Sequence, residues 1–119
     1  MREAVIVSTA RTPIGKAYRG SFNNLASPTL AGHAISAAVE GAGIEADRVE
    51  DCIMGAALTQ GSQGGNIGRT AALRAGLPVS VSGMTIDRQC SSGMMAVATA
   101  AKQVLHDGME VVVGGGVDS

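Results

Sequence analysis

Short continuous apolar runs alternate along the chain with longer stretches that repeat at helical spacing. The run from Ala4 to Thr9 is rich in β-branched residues and predicts a first strand, ending at Arg11-Thr12-Pro13. A segment rich in Gly, Ser and Asn continues to Asn24 and predicts a long loop. Ser27-Pro28 has the form of an N-cap followed by proline at the first helical position, where a missing N–H costs nothing. It predicts a helix to about Gly41. On a helical wheel Leu30, Ala34, Ile35, Ala38, Val39 and Ala42 share one half, and Gly32, His33, Ser36 and Glu40 share the other. Such a helix is expected to lay one face on a sheet.

Val49 to Ala57 predicts a second strand, whose centre Cys52-Ile53-Met54 has the continuous apolarity of a strand covered on both sides. Gln60 to Gly68 reads as a glycine-rich loop, and Asn66 as the cap of a short helix through Leu73 and Arg74, ended by Gly76 and Pro78. Val79 to Asp87 predicts a third strand, Cys90 to His106 a third helix and Met109 to Val113 a fourth strand. Alternation of this kind implies βαβ units, an α/β class and a mostly parallel sheet, with ligands at the carboxyl ends of the strands. The third helix carries no charge on any face from Ser91 to Ala101, so it is expected to be buried all round. A small domain has difficulty surrounding a helix, and no helix follows the last strand to cover it. Residues 1–119 are therefore expected to be one partial domain of a larger fold.

Composition sharpens this picture. With one Tyr, one Phe and no Trp in 119 residues, the core has to be filled by Ala, Gly, Val, Ile and Met. Small side chains let backbones approach closely, which favours helices pressed directly onto a sheet. A net charge of −1, with Lys and Arg scattered singly, argues against nucleic acid as a partner, because phosphate neutralisation needs basic clusters and base stacking needs aromatic platforms. The longest charge-free apolar stretch stops at Lys102, short of a membrane span, and Met1-Arg2-Glu3 runs into the apolar Ala4-Val5-Ile6-Val7 without a leader pattern. Cys52 and Cys90 form no C-x-x-C, so neither a metal site nor a disulfide is expected, and a reducing, cytoplasmic setting is. Neither Gly61 to Gly68 nor Gly114-Gly115-Gly116 matches a dinucleotide or P-loop signature.

Cys90 is the strongest candidate for chemistry. It sits between the predicted strand ending at Asp87 and the start of the charge-free helix. There the helix dipole and unpaired backbone N–H groups favour negative charge, on sulfur or on a developing oxyanion. The arrangement resembles the strand-turn-helix elbow that presents nucleophilic serines in other α/β enzymes, and Ser91-Ser92-Gly93 allow a tight turn. Cys52, mid-strand beside Asp51, reads as an inert core thiol. His33 falls on the polar helix face and His106 in a last helical turn, where a cation suits the dipole, and nothing places either beside Cys90. Asp87 and Arg88 read as local bracing or an ion pair. Arg69 and Arg74 read as a solvated helix face, with an anionic ligand or a partner subunit as the alternative.

The stretch Asp87-Arg88-Gln89-Cys90-Ser91-Ser92-Gly93-Met94-Met95-Ala96 resembles the acyl-enzyme cysteine motif of the thiolases. Arg11-Thr12-Pro13-Ile14-Gly15, Asn66-Ile67-Gly68-Arg69 with Ala71 to Pro78, and Val113-Gly114-Gly115-Gly116 agree with that family in order and spacing, so the resemblance covers essentially the whole chain. It implies the thiolase-like fold, two similar βαβαβαββ halves in five αβαβα layers, of which residues 1–119 would be the first βαβαβ part. In that fold the helix after the cysteine lies between two sheets. The activity implied is that of an acyl-CoA:acetyl-CoA C-acyltransferase with Cys90 as nucleophile. Acetyl-CoA and acyl-CoA would be its substrates, no cofactor would be covalently bound, and the full-length chain would be a homo-oligomer, dimer or tetramer, with Gln60 to Arg74 near the subunit contact. The family's catalytic His and second Cys belong to its C-terminal half and have no counterpart here, and no coenzyme A contacts are carried over. Two alternatives stand beside this reading. One is a decarboxylating ketoacyl synthase, which uses two histidines and which Arg88-Gln89-Cys90-Ser91-Ser92-Gly93 argues against; the other is a noncatalytic half-fold that assembles with a second chain.

Overall fold

The apolar run Cys52-Ile53-Met54 forms the centre of a parallel sheet. In the computed structural model, which describes residues 2–119, β1 (Asp51–Gly55) is flanked by β2 (Ser82–Ile86) and β3 (Val112–Gly116) in the order β2-β1-β3. The register pairs Ile53 with Met84 on one side and with Gly114 on the other. Every residue of β1 is buried, as expected of a strand covered on both faces. Cys52 and Met54 point to one face, where they join Ile35, Val39, Ile67, Ala71 and Ala72 of helices α1 (Ser27–Ala42) and α2 (Ile67–Arg74). Ile53 points to the other face and packs on Ala96 and Ala100 of α3 (Ser92–His106). The result is an α/β sandwich of three layers, with α2 and α3 as the crossovers between successive parallel strands.

Several predicted boundaries shift, each for a local reason. Ser27 is the first residue of α1 and not its cap. Its backbone N–H donates to Ser62 Oγ and its hydroxyl to Gln63 Oε1, and Ala26 occupies the cap position without a side-chain bond. Gly32, expected on the polar face, is buried against α2, where a Cβ would stand 3.1 Å from Ala75 N. His33, Ser36 and Glu40 are exposed as the wheel requires. Asn66 caps α2 as predicted, its side chain accepting from Arg69 N–H at 3.3 Å. The third strand starts at Ser82 because Val81 N–H closes a turn onto Pro78.

The fourth strand lies three residues later than predicted, and Gly114, Gly115 and Gly116 are inside it. Gly114 and Gly116 are bare because α3 lies almost on the sheet backbone, whereas Gly115 faces Met54 on the other side of the sheet. A Cβ at Gly114 would come within 3.0 Å of Ala96 O and Val97 Cα, and one at Gly116 within 3.0 Å of Gly93 Cα. At Gly55 in β1 it would stand 2.2 Å from the carbonyl carbon of Ser92. The ring-poor composition therefore serves close backbone contact, as the sequence suggested.

The predicted first strand is not one. Residues 4–9 make no ladder hydrogen bonds, and Val5, Ile6 and Val7 are each more than 70% exposed, at 71%, 74% and 71%. A β-branched run becomes a strand only where a neighbouring strand supplies hydrogen bonds, and none reaches this segment. Instead it lines a cleft of about 740 Å³ together with β3, α1 and α3. The third helix also departs from expectation. One face is seated on the sheet, while Met94 is 78% exposed and Val97 and Leu105 are partly so, because the second sheet implied by the family resemblance has no counterpart in residues 2–119.

The glycines of this contact are expected to differ sharply under substitution. Gly55→Ala should destabilise the protein by about 1–3 kcal/mol, since the new methyl meets backbone that cannot swing away. Gly93→Ala, whose Cβ would find nothing nearer than 3.8 Å, should be neutral or stabilising by up to about 1 kcal/mol through helix propensity. Urea unfolding midpoints of the two variants check this.

Candidate functional site

The carboxyl ends of the strands converge on the N-terminus of α3. Between Ile86 at the end of β2 and Ser92 at the start of α3 the chain makes one tight turn, and Cys90 sits in it with its thiol exposed. Helix α3 begins two residues after the cysteine, with Ser91 as cap, so Cys90 stands just outside the helix and not at its first position as predicted.

Backbone bonds and two side chains hold this turn. Ser91 N–H donates to Arg88 O and Ser92 N–H to Gln89 O, both at 3.1 Å. The Asp87 carboxylate accepts from Gln89 N–H at 2.9 Å, which is the bracing expected of it, while Arg88 has no ion pair among the described residues. The Ser92 hydroxyl accepts from Arg88 N–H at 2.7 Å and donates to Gln89 O at 2.6 Å. Gln89 takes a left-handed φ of 53°, which is costly for a residue with a Cβ. Among the described residues the N–H of Cys90 has no acceptor. An exposed thiol, an open N–H beside it and the positive end of a fifteen-residue helix are together suited to attack on a carbonyl and to holding the oxyanion that results.

The flanking loops are pinned by polar side chains that sequence reading did not single out. Gln63, almost completely buried, accepts from Ser27 Oγ and donates to Leu58 O and to Asp118 Oδ1, and the same carboxylate oxygen accepts from Ala57 N–H at 2.9 Å. No hydrophobic period or motif marks Gln63, and only the fold brings Ser27 and Asp118 to it. In the sequence Ser92 is only a small residue in a tight turn; its hydroxyl gains its partners once the turn closes.

Other candidates do not gather here. Arg69 donates to the carbonyls of Val79 and Val81, and Arg74 to Thr29 Oγ1 at 3.2 Å, so both brace the fold; Arg74 stays exposed, as the solvated helix face requires, whereas Arg69 is half-buried. His33 lies on α1, across the sheet from α3. His106 ends α3, about 20 Å along the axis from the turn. Cys52 is fully buried in β1, and its thiol is pushed up from 9.0 to about 12, by burial first and by the Asp51 carboxylate second.

The family model described as "Thiolase, N-terminal domain" matches residues 4–119. The chain belongs to the thiolase family. Over all 119 residues it is 44% identical to the acetyl-CoA acetyltransferase of Cupriavidus necator and 37% identical to the 3-ketoacyl-CoA thiolase of Bacillus subtilis. It covers 30% of the length of each. The crystal structure of the Bacillus anthracis acetyl-CoA acetyltransferase superimposes on the whole chain with a TM-score of 0.92 at 42% identity, again over 30% of that molecule. The thiolase resemblance of the motifs is thereby borne out, and so is the α/β fold class, with the chain spanning about a third of its relatives. Among the described residues no helix is long and apolar enough to cross a membrane.

Two outcomes follow for this thiolase segment. Iodoacetamide on the native protein should label Cys90 and spare Cys52, whereas both should be labelled after denaturation, as peptide mass spectrometry would read. The Cys52 thiol ionises near 9.0 when unfolded and only near about 12 when folded, so the unfolded chain loses this proton first. Stability should therefore fall as pH rises from about 9 toward 12, and the difference between parent and Cys52→Ala in pH-dependent urea midpoints should isolate that loss.

Proposed function

We propose that the protein carrying this chain is an acyl-CoA:acetyl-CoA C-acyltransferase in which Cys90 is the acyl-accepting nucleophile. The observation that supports it most directly is the exposed Cys90 thiol on a braced turn at the N-terminus of α3, in a chain of the thiolase family. Relatives named acetyl-CoA acetyltransferase and 3-ketoacyl-CoA thiolase give the substrate class, coenzyme A thioesters.

The reaction runs in two halves. The Cys90 sulfur attacks the thioester carbonyl, the bond from that carbon to the coenzyme A sulfur breaks, and coenzyme A leaves with the proton that the Cys90 thiol gave up. Acetyl-CoA then loses a proton from its methyl group, its carbanion attacks the acyl-Cys90 carbonyl, and a carbon–carbon bond forms as the sulfur departs and is reprotonated. The product is a 3-ketoacyl-CoA; the reverse direction is thiolysis. One difficult step becomes two easier ones. The Cys90 N–H serves as one oxyanion donor, a role whose loss typically costs about 10²–10³-fold in rate.

His33 and His106 are placed too far away to activate the thiol. The base for Cys90 and the acid and base for the second substrate therefore come from the part of the relatives that this chain does not span, and residues 1–119 alone have no turnover. Assembly as a homo-oligomer and a cytoplasmic site of action belong to the same proposal. The first draws on the family resemblance and the second on the two unbridged thiols, although several relatives are named mitochondrial.

Incubation of the complete polypeptide with acetyl-CoA should leave one acetyl group on Cys90, found by peptide mass spectrometry. Cys90→Ala should abolish it and Cys52→Ala retain it. Acetylation persisting at the parent level in Cys90→Ala would reject the assignment, and a requirement for a malonyl donor would move the protein to the decarboxylating synthases.

A further inference from the structure

We propose that Ser92 is a positioning residue for the acyl-transfer site, acting through the backbone of Gln89 to aim the N–H of Cys90. The proposal rests on the reading of Cys90 as nucleophile and adds a residue with a separable job.

Ser92 is 2% exposed, although the five residues before it, Asp87 to Ser91, are all exposed. Its hydroxyl makes two bonds, both short and both directed back into the turn. It accepts from Arg88 N–H at 2.7 Å and donates to Gln89 O at 2.6 Å. As the first residue of α3 it is not the helix cap, so these bonds do not serve the helix. They serve the peptide plane between Gln89 and Cys90. That plane is trans and rigid, so its C=O and N–H point in opposite directions. Holding the Gln89 carbonyl inward, against the buried Ser92 hydroxyl, turns the Cys90 N–H outward, and it is this N–H that lacks an acceptor among the described residues.

The same bonds hold Gln89 in its left-handed conformation. A glutamine leaves that region readily unless its surroundings over-determine it. Here the Asp87 carboxylate fixes the Gln89 N–H and Ser92 fixes the Gln89 C=O, so the residue is gripped at both ends. Ser92 is itself anchored from below, because its main chain lies on Gly55 of β1 so closely that a Cβ there would stand 2.2 Å from the Ser92 carbonyl carbon. The central strand thus positions Ser92, Ser92 positions the Gln89–Cys90 peptide, and the peptide presents an oxyanion donor beside the thiol.

The test compares Ser92→Ala and Ser92→Thr with the parent in the complete polypeptide, by the rate of Cys90 acetylation at varied acetyl-CoA and by the rate of Cys90 alkylation with iodoacetamide. Acylation forms an oxyanion and alkylation does not. Ser92→Ala should therefore slow saturated acylation about 10- to 100-fold with the half-saturating acetyl-CoA concentration unchanged, while alkylation changes by less than about threefold. Ser92→Thr, which keeps the hydroxyl, should recover most of the loss. Should Ser92→Ala fail to fold, it is read in a Gln89→Gly background, where glycine takes the left-handed φ freely. Acylation at the parent rate in Ser92→Ala, acylation and alkylation falling by the same factor, or no recovery in a folded Ser92→Thr each overturns the role of Ser92 and leaves Cys90 in place. A parent that takes no acetyl group on Cys90 overturns both.

Discussion

The structure depends on how closely α3 approaches the sheet. Gly55 in β1 and Gly114 and Gly116 in β3 leave no room for a side chain between strand and helix backbones, so the helix is seated on main chain atoms. Dispersion contacts at that distance depend steeply on separation, and the packing tolerates no added carbon at Gly55. Ile53 then fills the centre of the contact against Ala96 and Ala100, and the other face of β1 is left for Cys52 and Met54 to build the core with α1 and α2.

This seating also delivers the candidate site. Once the first turn of α3 is fixed on Gly55, the chain arriving from β2 has only five residues, Asp87 to Ser91, in which to reverse into the helix. A left-handed Gln89, the Asp87 carboxylate and the Ser92 hydroxyl make that reversal possible, and Cys90 is pushed out to the surface at its apex. The site is thus a by-product of packing as much as of its own residues. Cys52, of the same chemistry, is held neutral and enclosed only one strand away, which shows how completely environment divides the two thiols.

Two apolar surfaces remain open around this framework. Met94, Val97 and Leu105 face outward from α3, and the run around Val5, Ile6 and Val7 borders the cleft beside β3. The chain that leaves them open spans 30% of the length of the relatives it matches.

The α/β class, the buried central strand, α2 with its Asn66 cap, and the prominence of Cys90 over Cys52 are all legible along the chain. These are local properties: period, propensity, capping chemistry, and a thiol placed before a charge-free helix. The family motifs were equally legible, because they are contiguous. What the tertiary structure decided is whatever needs a distant partner. Residues 4–9 have strand composition but no neighbour to bond with, so they are not a strand. Gly114 to Gly116 lie past the predicted end of the fourth strand and are strand in three dimensions, with Gly114 and Gly116 bare where α3 meets them. Arg69 and Arg74 are bound to carbonyls and a hydroxyl that folding brings to them, and Ser92 becomes more than a small turn residue only when its seating on Gly55 buries its hydroxyl and leaves the neighbouring Arg88 and Gln89 as its partners. Hydrogen bonds and close contacts between residues far apart in the chain carry no periodic signal, so they enter only with the fold.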